Sequence, residues 1–140
     1  MASNIMIPML ALIVWTFVMW CWMYATRIPA MRVAGIDPAR IKRKDELEAL
    51  PVSVKQIADN YNHLHEQPTI FYVLALYCQV AGTADPLNVG LAWGYVALRI
   101  AHSLIQCTVN FVPARFLAFA ASSVVLMAIT ARNVLALLQH

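Results

Sequence analysis

No charged residue occurs before Arg27. The opening stretch is apolar from Ile5 to Ala25, and about 20 such residues in a helix are enough to cross the ~30 Å hydrocarbon core of a bilayer. A cleaved leader would show a basic start and a small-residue cleavage site, and neither is clear here. The segment is therefore expected to be a retained membrane helix over residues 5–26, with Pro8 near its start, where a missing N–H does no harm.

Three more helices follow from the same logic, expected over about 53–81, 87–109 and 114–138. The breaks between the last three are "GTADP" and "NFVPA", both too short to do anything but reverse the chain. Consecutive helices are then antiparallel neighbours. In lipid every backbone polar group must be satisfied internally, which leaves helices or closed barrels. The expected fold is all-α: a single four-helix membrane bundle over residues 1–140, with a basic loop over about 27–52 and one short helical turn in it near Lys44 to Ala49.

The composition agrees, at 61% hydrophobic and 12% charged. Seven of the ten Lys and Arg residues lie between Arg27 and Lys55. In so apolar a chain that clustering marks a membrane face rather than nucleic acid, and it places the loop in the cytoplasm with both termini outside. Cys21, Cys78 and Cys107 all sit in apolar stretches without metal-like spacing, which suits small buried hydrophobes better than a disulfide framework. No metal site, nucleotide loop or Ser-His-Asp pattern is evident.

Against this background the third and fourth apolar runs are unusual. "ALRIAHSLIQCTVNFVPARFLAFA" carries Arg99, His102, Gln106, Asn110 and Arg115. Arg99, His102 or Ser103, Gln106 and Asn110 recur every three or four residues and so share one helical face. Asp59, Asn62 or His63, and Glu66 do the same earlier. Arg27 and Arg115 stand at the same ends of their helices, so charged groups from four helices are expected to converge near the cytoplasmic interface. Arg27, Arg32 and Arg132, near helix ends, are free to snorkel to headgroups. Arg99 is mid-helix and must face the protein interior, either in a structural pair with Glu66 or toward a ligand. His102 fits a hydrogen-bonded core histidine better than a reactive one. Several arginines favour an anion held by forked hydrogen bonds, and a carboxylate beside them suits an ammonium.

"ADNYNHLHEQPTIFY" followed by "LRIAHSLIQCTVNFVPARFLAF" resembles the MAPEG family, the membrane-associated proteins in eicosanoid and glutathione metabolism, in its bacterial type. The likeness runs over nearly the whole chain. It implies a homotrimer with active sites between protomers near the cytoplasmic face, and glutathione as co-substrate for a transferase or peroxidase acting on lipophilic electrophiles from the bilayer. By position, Glu66 would hold the γ-glutamyl ammonium, Arg27 and Arg99 the carboxylates, and Arg115 the catalytic thiolate. His63, or Asn62 after a one-residue shift, falls at an asparagine position that hydrogen-bonds glutathione. His102, Gln106 and Asn110 on the same stripe complete the candidate binding residues. Three positions depart from the pattern: Gln106 replaces a tyrosine, Asp59 is nearest to an expected arginine, and Phe116 stands where a serine can occur. Those departures keep a non-catalytic membrane subunit open as an alternative, with a small transporter behind it. The location implied is a multi-pass position in a bacterial inner membrane or an endoplasmic-reticulum-type membrane.

Overall fold

The computed structural model describes residues 4–40 and 49–139, and all regular structure among them is helical. The elements are α1 (Met6–Ala34), a 3-10 turn at Pro38–Arg40, α2 (Val52–His63), α3 (Gln67–Ala81), α4 (Pro86–Cys107) and α5 (Val112–Leu138). The turn expected near Lys44 to Ala49 falls largely outside the described residues.

Two expected boundaries need correction. The first helix does not stop at residue 26 but runs on to Ala34, with Pro29 inside it. "RIPAMRVA" reads as loop by its charges, yet Arg, Ala and Met are good helix formers, and Pro29 forfeits only one backbone bond. What ends the helix is Gly35, whose φ of +73° is left-handed and closes the last turn through bonds to the Arg32 and Met31 carbonyls. The second helix is not continuous over 53–81. It breaks at Leu64–Glu66, where Glu66 has φ −94° and ψ −96°, and restarts as α3 with Pro68 buried in its first turn. A continuous helix would drive the Pro68 ring against the Leu64 carbonyl, whereas the first turn of a new helix asks no N–H of it. This break decides where Glu66 and Gln67 point.

Helix α4 is the centre of the packing, with α5 as its most extensive neighbour and α1 and α2 against its other sides. The core draws Leu12, Met19 and Met23 from α1, Ile57 from α2, Phe71 and Ala75 from α3, Ala92, Tyr95 and Val96 from α4, and Ile129 from α5. Phe71 stacks on Tyr95 with ring centroids 4.6 Å apart. Two helices, α1 and α5, are long and apolar enough to cross a membrane, and only 22% and 17% of their most apolar windows are buried. A soluble protein's core helix would hide such a surface, whereas Leu10, Val14 and Phe17 on α1 and Phe116, Leu117 and Val124 on α5 are exposed.

The α3–α4 turn is tied to the far end of α5. Gly82, at φ +75°, closes α3, and Asp85 caps α4 by accepting from the Asn88 backbone N–H at 2.8 Å. Arg132 is tied to that turn: its Nη2 lies 2.7 Å from Asp85 Oδ2, and its Nε donates to Asn88 Oδ1 at 2.8 Å. Thr83 donates to Asn133 Oδ1, while the Asn133 amide donates to the Ile129 carbonyl at 2.8 Å and to Cys78 Sγ at 3.2 Å.

Candidate functional site

The stripe expected on α4 is present and turned inward, with Arg99, His102, Ser103 and Gln106 all buried. Arg99 is 1% exposed. Its Nη2 donates to the backbone carbonyl of His63 at 3.3 Å, a weak bond, and neither Nε nor Nη1 has a partner among the described residues. Phe119 lies beneath it, with the guanidinium carbon 6.0 Å from the ring centroid, a distance at which a cation is attracted to the ring face. The structural pair with Glu66, one of the two readings open for Arg99, does not form: among the described residues no carboxylate comes within ion-pair distance of Arg99. The physical reason is the break at Leu64–Glu66, which takes Glu66 off the α2 face that meets α4 and leaves it exposed.

Glu66 and Arg99 nevertheless open onto the same cavity, of about 310 Å³. His63, His102 and Arg115 share its polar side, and Val112, Phe116 and Phe119 form an apolar one. Arg115 stands in the first turns of α5, half-buried, with Nη1 donating to Asn110 Oδ1 at 2.8 Å. Asn110 itself has φ +48°, a left-handed conformation that asparagine tolerates better than most residues. Asn110 thus positions Arg115 from the turn and does not line the cavity. Gln106 does not line it either: it is 2% exposed, and its Oε1 lies 3.2 Å from His63 Nδ1.

Arg27 is not brought to this group. It lines a second hollow, of about 450 Å³, together with Tyr24, Lys55, Asp59 and Asn62. The helix-two stripe is therefore divided, with Asp59 and Asn62 on one hollow and His63 and Glu66 on the other. Arg27 Nε is buried without a partner among the described residues. The convergence of charge from four helices is not realised within the single chain.

Gln67 is the site residue that sequence reasoning overlooked. It lines the first cavity, accepts from the Tyr95 hydroxyl at 3.1 Å and donates to Ser123 Oγ at 2.8 Å, and so ties α3, α4 and α5 together beneath it. Its place between Glu66 and Pro68 was the available signal, because a proline there ends the regular stripe. Chemically, the cavity offers two guanidiniums, one carboxylate and two imidazoles against an aromatic wall, which suits a small zwitterionic anion beside an apolar molecule.

Comparisons with known proteins agree with the pattern of residues. The MAPEG family model matches residues 5–135. No curated protein and no solved structure matches the chain. With so nearly complete a match, this chain belongs to the MAPEG family.

Proposed function

We propose that the protein is a membrane-bound glutathione transferase or peroxidase acting on lipophilic electrophiles, assembled as a homotrimer. The family includes glutathione-dependent transferases and peroxidases as well as non-catalytic members. The observation that carries the reading is Arg99, a guanidinium 1% exposed with two unpartnered nitrogens, set on a cavity that also holds Arg115. A buried charge without a counter-ion costs several kcal/mol, and an anionic ligand offsets that cost. In this reading Arg99 takes a carboxylate of the tripeptide, Glu66 takes the ammonium, and Arg115 faces the sulfur. His102 borders the same pocket.

A free thiol has a pKa near ~8.5, and lowering it by two units requires about 2.7 kcal/mol of thiolate stabilisation. A half-buried guanidinium at the positive end of α5 is a group of the right kind to supply this. The protein then acts by placing the thiol and its anion, and the electrophile reaches it along the Phe116–Phe119 wall.

The division of charges between two hollows supports the trimer. Arg27 carries an unpartnered buried nitrogen of its own but cannot reach Arg99 within the subunit. Packing between copies would bring Arg27 of the partner subunit to the Arg99 cavity and complete the carboxylate site. In the bilayer all four helical runs cross, with loop one cytoplasmic. Helix α3, roughly 22 Å long, then depends on α2 to complete its crossing. A reporter active only in the cytoplasm is expected to be silent when fused after His140, and strong signal there would reverse the orientation.

Native mass spectrometry from mild detergent with glutathione tests the rest. The expected species is a trimer that gains tripeptide adducts, with thiolate absorbance appearing in parallel. Monomers without adducts at all concentrations would overturn both parts. A second reading, a non-catalytic subunit, is favoured by Gln106, which is turned into the core where the resemblance implies a tyrosine. A trimer that never gains adducts and co-purifies with a stoichiometric partner would establish it.

A further inference from the structure

A position at which this chain departs from the family's pattern, Gln106, meets His63 beside the cavity. Gln106 stands where the resemblance implies a tyrosine, His63 or its neighbour Asn62 falls at the implied asparagine position, and His63 Nδ1 lies 3.2 Å from Gln106 Oε1. With an amide oxygen as the acceptor, Nδ1 carries the proton, and Nε2 of the neutral ring is left as a lone-pair acceptor. The ring is half-buried and borders the cavity, and among the described residues nothing hydrogen-bonds Nε2. Its backbone is anchored as well, because the His63 carbonyl receives Arg99 Nη2. The result is an imidazole held from behind with its basic nitrogen free, the arrangement that a general base requires.

We propose that His63 is the proton acceptor for the thiol bound in this cavity, a role that rests on the glutathione reading above. Nε2 takes the thiol proton, the S–H bonding pair stays on sulfur, and thiolate and imidazolium form an ion pair beside Arg115. Sulfur then uses that pair to form a C–S bond. Where the electrophile is an activated alkene, the carbanion so created takes the proton back from Nε2. The sum is addition of the thiol across the double bond, and no outside reactant is needed.

At reference values, transfer from a thiol to an imidazole is about a hundredfold uphill. Arg99, Arg115 and Glu66 line the same cavity as His63. Arg115 has the effect of stabilising the sulfur anion, so the pair is attainable only with the thiol in place. His102 is the competing histidine, its ring centroid 6.1 Å from that of His63. Its Nδ1 is buried with no partner to fix a tautomer, which leaves it without the orientation that Gln106 gives His63.

The chain has four histidines, so 15N-histidine labelling of the full protein in detergent gives signals that single substitutions can assign. At about pH 8 an ordinary imidazole is neutral. The expected result is an Nδ1–H tautomer for His63 without ligand, and a doubly protonated ring once glutathione is added and thiolate absorbance rises. His63→Asn is expected to slow thiolate formation at least tenfold with glutathione affinity within about threefold, and imidazole is expected to restore the rate in His63→Gly. A His63 ring that stays singly protonated while the thiolate forms would overturn the proposal. So would an unchanged rate in His63→Asn. Absence of both binding and thiolate in the unsubstituted protein would instead overturn the glutathione reading itself, and this role with it.

Discussion

Polar side chains gather at both ends of the α4–α5 pair, and the two gatherings differ in one respect. At the Thr83–Asn88 end the polar groups are partnered among the described residues: Arg132 meets Asp85 and Asn88, and Asn133 meets Thr83, Cys78 and Ile129. At the other end Arg99 keeps two unpartnered nitrogens and His102 one, around an open cavity. Both ends use arginine and asparagine in an apolar setting, so residue type does not separate them. Satisfaction does. Buried polar groups are nearly always hydrogen-bonded in folded proteins, and a cluster of exceptions marks a place kept for something else.

Arg99→Leu is the substitution most able to break this contrast. If the guanidinium exists for a ligand, glutathione affinity should fall a hundredfold or more, about 2.7 kcal/mol. Ligand-free stability should hold or rise, because a buried charge without a counter-ion is replaced by apolar volume and Glu66 loses no partner. Thermal unfolding in detergent, with and without glutathione, reads both quantities. A lower melting temperature with affinity intact would make the open end as structural as the closed one.

The open end was partly legible in the sequence. Spacing of three and four residues from Arg99 to Gln106 is a local property of a helix, and it put those side chains on one buried face as expected. "GTADP" and "NFVPA" likewise marked the α3–α4 and α4–α5 turns, since glycine and proline act through the backbone alone. What local pattern could not give was partnership across the chain. Arg27 lies on a different hollow because the rotation of α1 is set by packing, and Arg132 finds Asp85 across 47 residues of sequence. The Pro68 break was hidden by apolar periodicity that continues on both sides of it.

The closed end should respond to Arg132→Met in the opposite way. Arg132 and Asp85 are 37% and 47% exposed, so their ion pair contributes under ~1 kcal/mol after solvent screening. Most of the loss comes from Asn88, which is buried and would be left with an unpaired Oδ1, at roughly 1–2 kcal/mol. A total of about 2 kcal/mol should appear as a lower melting temperature, with glutathione affinity unchanged. Loss of affinity without loss of stability would mean that the two ends are coupled through α5.

Asn110 carries the smallest effect and the finest distinction, because it serves the backbone and the site at once. Its φ of +48° would cost an ordinary residue about 1 kcal/mol. Its Oδ1 also holds Arg115 at 2.8 Å. Glycine keeps the first role and removes the second, whereas alanine removes both. Asn110→Gly should therefore leave stability within about 0.5 kcal/mol, and Asn110→Ala should be less stable than Asn110→Gly by about 1 kcal/mol. If Arg115 must be steered to reach a thiolate, both variants should show the same partial loss of thiolate absorbance, smaller than that of Arg115→Leu. Equal stability in the two variants would show that the turn relaxes, and full thiolate absorbance in both would show that Arg115 reaches the sulfur unaided. A loss common to both would place Asn110 with the open end, as a residue whose hydrogen bond serves the ligand and whose backbone serves the fold.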